Sequence, residues 1–527
     1  EALEKDSYGK FRFVAGINPR SFSWQLAPGE VFYTPEAVLN FSADGFRGLS
    51  GQLHSFIREH IVRGVWKHKP RPVLLNSWEA CYFKIDEKKL LQLAKAGKNA
   101  GIELFVMDDG WFLGRNDDTS SLGDWEPDPK KLPGGIASLS KKIKELGMDF
   151  GIWVEPEMIS ENSNLYKEHP DWAMKIPGHP HSEGRNQCIL DLCNPEVRKY
   201  VIEEMTRVFS SGEIRYVKWD MNRNFSDIYS PYLPAAKQGE TAHRYVLGLY
   251  HIMDELTTRF PEILFEGCSS GGNRFDLGIL NYFPQIWASD NTDALCRTGI
   301  QNSYSYGYPL SVFTAHVSSC PNHQTLRITP LETRFQVASF GILGYECNLK
   351  DLSGSELNAI REQIALYKKW RDLFQFGTFY RGTENEDSDS ETLSWTCVSP
   401  DGRRAVGLFF RRLTTPNQSH DWYRPAGLLP DVKYHFYGRN IKYNLKDFGD
   451  LVNTVSPVHI KQGSALQEIL SRFVNMDGEK EDLTAYGDTL MLAGIALKPA
   501  FAGTGYNSDT RLFPDFSSRM YFMEAVE

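Results

Sequence analysis

The segment RYVKWDMN, residues 215–222, decides the fold. It opens on Tyr216 and Val217, which belong in a core. It closes on Lys218, Asp220 and Asn222, which do not. Helical spacing flanks it on both sides. Upstream, Asn194-Pro195 supplies a cap and a proline at the first helical position. Val197, Tyr200, Val201, Met205 and Val208 then share one face. Downstream, a helix over 242–260 puts Tyr245, Val246, Leu249, Ile252, Met253, Leu256 and Phe260 on one side.

Outward from this unit the same pattern recurs. PVLLNSW (72–78), ELFVMDDGW (103–111), MDFGIWVEP (148–156) and CILDLCN (188–194) read as further strands. So do ILFEGCSS (263–270), PQIWASDN (284–291) and PLSVFTAHVSS (309–319), for eight candidates in all. Helices are predicted after Asp86, a plausible N-cap, over 135–146 and over 355–374. Strands alternating with helices imply a parallel sheet. Several strands end in acids, as VMDDGW, IWVEPE, VKWDMNR and IWASDNTD do. In a (β/α)8 barrel the strand C-termini meet at one mouth. A doubly wound sheet, the alternative, would gather its ligand at a single switch point. The expectation is an α/β chain: a (β/α)8 TIM barrel catalytic domain over 53–377. Residues 1–52 read as a β segment (FRFV, SFSWQL, VFYT, AVLNFS), a remnant of or link to an N-terminal β-domain. Residues 378–527 carry ETLSWTCV, RRAVGLFF, VKYHFYG, TLMLAGIAL and RMYFMEAV. They predict a C-terminal antiparallel β-sandwich domain.

The bulk properties exclude several classes. A length of 527 residues calls for two or three domains. Net charge is −9 with no basic block, which argues against nucleic acid as a partner. No apolar run reaches membrane-spanning length, so no membrane partner is expected. Eight scattered cysteines show neither a CxxC pair nor zinc-like spacing. Reduced thiols fit best, and the cytoplasm is the expected compartment, with secretion or the cell surface left open.

The strand-end acids are Asp108 and Asp109, Glu155 and Glu157, Asp220, and Asp290 with Asp293. Converging carboxylates suit oxygen-rich metal binding or glycoside hydrolysis. Any one of them could instead cap a helix or pair with Arg185, Lys218, Arg223 or Arg274. Each acidic strand end also carries a tryptophan, Trp111, Trp153, Trp219 or Trp287, and Trp78 ends the first strand. Aromatic walls favour a sugar over a hydrated cation. His316 and His323 read as isolated, which leaves no histidine cluster for a catalytic metal; no metal and no cofactor are expected. A retaining glycosidase needs one ionised carboxylate as nucleophile and a second that keeps a proton. Lys218 stands on the strand face of Asp220, and Asp290 lies near Trp287 and Asp293. Spacing does not rank Asp290 above Asp293.

The segments VMDDGWF, FGIWVEPEMIS, VKWDMNR, CSSGGNRFD, QIWASDNTD and PLETR together resemble the bacterial α-galactosidases of glycoside hydrolase family 36. The resemblance covers roughly residues 70–350 and extends more weakly beyond. It implies Asp220 as nucleophile and Asp290 as acid/base. It implies Asp108 and Asp109 on the sugar's O4 and O6 hydroxyls. Trp78 and Trp153 would wall the pocket, and Arg185 and Lys218 would donate to sugar hydroxyls. Cys268 and Gly271 would pass near the 2- and 3-positions. The implied substrate is an α-galactoside-type oligosaccharide or glycoconjugate. The sibling activity on α-N-acetylgalactosamine or galactosamine stays open, because Asn273 stands where the family loop has a glycine. A non-catalytic sugar-binding barrel is the remote alternative. In the family a large N-terminal β-sandwich helps oligomerise; little of it is expected here, so a homo-oligomer stays open.

Overall fold

A computed structural model describes residues 2–182, 184–382, 390–415, 420–501 and 505–526. All the expected site residues lie within them. Eight parallel strands close into a barrel. They are β1 (Leu74–Asn76), β2 (Leu104–Met107), β3 (Asp149–Val154), β4 (Ile214–Trp219), β5 (Leu264–Gly267), β6 (Gln285–Trp287), β7 (Phe313–Val317) and β8 (Ile342–Tyr345). Each pairs with its sequence neighbour, and β8 closes on β1 through Gly344↔Leu74 and Tyr345↔Leu75. A helix follows each strand: α1 (Glu87–Ala100), α2 (Gly135–Glu145), α3 (Pro195–Ser210), α4 (Thr241–Arg259), α5 (Leu277–Leu280), α6 (Ala294–Tyr304), α7 (Leu331–Ser339) and α8 (Gly354–Phe376). Asp86 caps α1 by accepting from Lys89 N, and Asn194 caps α3 by accepting from Glu196 N.

The strand count of eight stands, but two assignments change. CILDLCN is not a barrel strand: only Cys188–Ile189 is extended, paired antiparallel with Met158–Ile159 in the excursion between β3 and α3. The eighth barrel strand is Ile342–Tyr345, a stretch without a helical or alternating signature. Its Gly344 is required by packing. A Cβ there would lie 2.4 Å from the His316 ring on β7.

The C-terminal region forms a six-stranded antiparallel sheet. Its strands are β9 (Thr378–Arg381), β10 (Thr392–Val398), β11 (Arg404–Arg411), β12 (Lys433–Gly438), β13 (Asp482–Tyr486) and β14 (Ser517–Ala525). They are ordered β9-β10-β11-β14-β12-β13. The period of two divides its side chains between two cores. Leu393, Trp395, Val406, Leu408, Phe410, Met520 and Phe522 join the barrel's core. Ala405, Phe409, Phe436, Tyr521 and Met523 pack instead with Tyr423 and Ile495 of the short ladder Trp422–Tyr423 with Ile495–Ala496. TLMLAGIAL is a helix over Gly487–Leu492 followed by Ile495–Ala496, not one long strand.

The first residues are less β-rich than expected. Ala2–Lys5 pairs with Phe11–Val14 as a hairpin, and SFSWQL, VFYT and AVLNFS form no strand. With no sheet beside them, alternation alone cannot satisfy the backbone. The helix Gly45–Phe56 runs across residue 52. Among the described residues no helix is long and apolar enough to cross a membrane.

Candidate active site

The C-terminal ends of the barrel strands open into one polar cavity of about 620 Å³, its mouth included. Of the expected residues, Trp78, Asp108, Asp109, Trp153, Arg185, Lys218, Asp220 and Asp290 line it together. The strands supply them in rotation, as a parallel barrel requires.

Asp108 and Asp109 leave β2 into a web of donors. Asp108 Oδ2 accepts from Asn76 Nδ2 at 2.7 Å and from Lys218 Nζ at 3.0 Å. Asp109 takes the Arg115 fork, with Nε at 3.0 Å and Nη2 at 2.9 Å. Burial, countered by Arg115, leaves the Asp109 carboxyl above its ordinary value. Lys218 is 8% exposed. Burial alone would lower its ammonium, but Asp108, with Glu346 and Asp220 behind it, holds it well above the ordinary lysine range. The result is a fixed cation among three carboxylates.

Asp220 follows β4. Its Oδ2 accepts from Trp153 Nε1 at 3.0 Å and its Oδ1 from Met221 N at 2.9 Å. Its own N–H donates to Val154 O at 2.8 Å, which ties the strand end to β3. Beside it, Glu155 is buried outside the lining. It accepts from Gln187 Nε2 at 2.7 Å and from Asn222 N. Burial and the nearby Asp220 push the Glu155 carboxyl well up.

Asp290 stands open to the cavity after β6, and Trp287 Nε1 donates to its Oδ1 at 2.8 Å. The surrounding protein and the charge of Asp220 raise its carboxyl above the ordinary aspartate range. Asp293 has a different job. It caps α6 through Cys296 N at 2.9 Å, accepts from Thr325 Oγ1 at 2.9 Å and pairs with Arg327. It lines no part of the cavity. Of the two aspartates that spacing could not rank, Asp290 lines the cavity and Asp293 does not.

Other expected residues stand back. Cys268 is buried behind Asp220, its thiol pushed well up by burial and by Asp220. Gly271 does not line the cavity. At φ +92°, its missing Cβ leaves room for Ser289 Cα, which a Cβ would meet at 2.9 Å. The glycine lets one loop approach the backbone that carries Asp290. Asn273 is exposed and folds back on its own loop, its Nδ2 donating to Ser269 O at 2.7 Å. Arg185 is exposed and, with Asn186, takes a left-handed backbone, φ 50° and 56°. Trp111 and Trp219 are core residues, not walls: their indoles donate to Trp153 O and to Glu157. Glu157, 0% exposed, is held by Arg274 at 2.8 Å and Tyr245 at 2.7 Å.

Sequence reasoning missed Glu79, Asn222, Thr292, His323, Gln324 and Glu346, which with Trp287 complete the lining. Of the two histidines read as isolated, His323 lines the cavity, and His316 is buried against its lining residues Glu346 and Trp287. His323 pairs with Glu79 at 3.1 Å, and that hydrogen bond raises its imidazole. His316 Nδ1 lies 3.1 Å from Glu346 Oε2. Glu346 follows β8, so recognising that strand would have found it. Among the described residues, Glu161, His181 and Cys188 bring atoms able to ligate a metal within 4.8 Å of one another. None of them lines the cavity.

A family model described as melibiase matches residues 31–377, and one for the glycosyl hydrolase family 36 C-terminal domain matches 392–523. The curated "Alpha-galactosidase AgaA" of Geobacillus stearothermophilus is 47% identical over 439 residues, 83% of this chain and 60% of that protein. A variant of AgaA solved in complex with raffinose aligns with TM-score 0.86 and 42% identity, over 99% of this chain and 65% of that one. A second variant, solved with stachyose, gives 0.86 and 43% over the same shares. The chain thus spans about 60% of the length of the curated relative.

Proposed function

Because the chain belongs to glycoside hydrolase family 36, the melibiase family, we propose that its cavity hydrolyses terminal non-reducing α-D-galactosyl residues with retention. The observation that carries this is the division of labour in one cup. Asp220 presents two oriented oxygens, and Asp290 keeps its carboxyl raised beside it. In the first step a carboxylate oxygen of Asp220 attacks the anomeric carbon. The bond to the aglycone oxygen breaks, and Asp290 gives that oxygen its proton. In the second, water attacks the same carbon, Asp290 takes its proton, and the ester to Asp220 breaks. Asp108, Asp109 and Lys218 hold the sugar's hydroxyls, and Trp78 and Trp153 face its ring.

A further support comes from AgaA. Its raffinose and stachyose complexes each carry a different replaced aspartate, and the two positions lie 70 residues apart. Asp220 and Asp290 have the same spacing. Galactose is preferred over N-acetylgalactosamine because the AgaA relatives carry the α-galactosidase name. On nitrophenyl substrates, the α-galactoside should turn over at least tenfold faster than the α-N-acetylgalactosaminide. The reverse order would reassign the substrate.

The division of the chain is read as a barrel to residue 377 and a β-domain from 378, supported by the end of α8 at Phe376 and the start of β9 at Thr378. A homo-oligomer is supported by the exposed Leu3, Phe11, Tyr33, Leu39 and Phe41 of the first residues. A cytoplasmic site of action is supported by eight free thiols.

A further inference from the structure

Arg297 lies in the first turns of α6, 2% exposed, and does not line the cavity. Its guanidinium has no carboxylate in ion-pair contact among the described residues. Three backbone carbonyls take its N–H groups instead: Asn291 O from Nε at 2.8 Å, Thr314 O from Nη1 at 3.0 Å and Ser289 O from Nη2 at 2.6 Å. Ser289 and Asn291 are the two neighbours of Asp290. Thr314 belongs to β7, so the grip anchors the Asp290 loop to the barrel wall. The same guanidinium lies 4.6 Å from the centroid of the Trp287 ring, whose Nε1–H holds the Asp290 carboxyl.

A buried charge with no carboxylate in contact is destabilising, and the charges of Glu346 and Asp290 offset that only in part. Burial here pushes the Arg297 guanidinium down to about 10. A fold needing only bulk would be served better by an apolar side chain. What an arginine alone offers is a rigid fork of donors that binds several acceptors at once and still stacks on an indole.

We propose that Arg297 is the positioning residue of the acid/base carboxyl, fixing the backbone on both sides of Asp290 and bracing the tryptophan that orients it. The inference rests on the reading of Asp290 as acid/base. Arg297 does not touch the substrate. Its loss should therefore weaken proton delivery and leave sugar binding intact.

The test compares kcat/KM of Arg297→Lys and Arg297→Gln on two α-galactosides, one with a nitrophenyl and one with an alkyl leaving group. The glutamine variant also removes the unpaired charge, which favours recovery of folded protein. Both variants should lose about ten- to hundredfold on the alkyl substrate, which needs protonation of its leaving group. The loss on the nitrophenyl substrate should stay below about threefold, as should any change in galactose inhibition. Equal losses on both substrates, or no loss on either, would overturn the proposal. Asp290→Ala, run in parallel, separates the two claims. If it shows the leaving-group split and the Arg297 variants do not, only the positioning role fails. If it shows no split, the assignment of Asp290 fails and the positioning role fails with it.

Discussion

The Asp290 carboxyl shares its cavity with Asp220, and the first consequence concerns pH. Its proton is held above the ordinary aspartate range by the surrounding protein and by the Asp220 charge. In the proposed mechanism the first chemical step needs that proton, so the step persists at pH values where a free aspartate is ionised. It fades as pH rises through the raised value. The alkaline limb of kcat/KM on a poor leaving group should therefore belong to Asp290. In Asp290→Asn the residual rate should lose that limb. A limb that survives unchanged would assign it to another group. Much at this scale was legible in the sequence, since residue type and strand end together marked Asp108, Asp220 and Asp290. What spacing could not supply was orientation. Asp293 is three residues from Asp290 and points into helix α6, because a side chain at a cap position turns back to the first free N–H groups.

At the scale of elements, β6, its loop and α6 act as one device. Trp287, Asp290, Asp293 and Arg297 face the Asp290 carboxylate, the cavity, the helix start and the loop backbone in turn. Asp293→Ala should cost about 1 kcal/mol for the lost cap, and more for stranding Arg327. Burial opposes the Asp293 charge, but Cys296 N–H, Thr325 and Arg327 hold its carboxyl below the ordinary value. Its stabilisation is therefore full above the unfolded carboxylate value and lost as pH falls through the folded one. The deficit of the variant in thermal unfolding should shrink towards acid pH, and any loss of rate should be equal for good and poor leaving groups. A deficit that grows on acidification would contradict this. The elements themselves were read unevenly. Long amphipathic helices such as α3, α4 and α8 announce themselves by period, and α3 by its cap as well. CILDLCN misled because β-forming residues also suit a two-residue ladder in a loop. GILGYE hid because its glycines, one of them making room for His316, erase the β signal.

At the scale of the molecule, the barrel and the C-terminal sheet share a core. Phe522 of β14 packs 4.8 Å from Trp370 of α8, and Ser518 Oγ donates to Gln336 of α7 at 2.7 Å. Phe522 is 2% exposed. Replacing it with alanine should destabilise by about 3–5 kcal/mol. Because the lost contacts bridge both parts, activity and tryptophan fluorescence should fall together at a lower temperature. Activity that outlasts the fluorescence transition would show the sheet to be dispensable to the barrel. The β texture of RRAVGLFF and RMYFMEAV predicted a sheet; that both faces are buried, one against the barrel, follows only from the assembled fold.

The proposed mechanism turns on a covalent bond between the sugar and one carboxylate. A fluorinated α-galactosyl fluoride, which forms the intermediate faster than water releases it, would trap that bond for peptide mapping by mass spectrometry. The expected result is a single fluorogalactosyl addition on the peptide bearing Asp220, absent from Asp220→Ala. A label on Asp290 or on any other side chain would contradict the account.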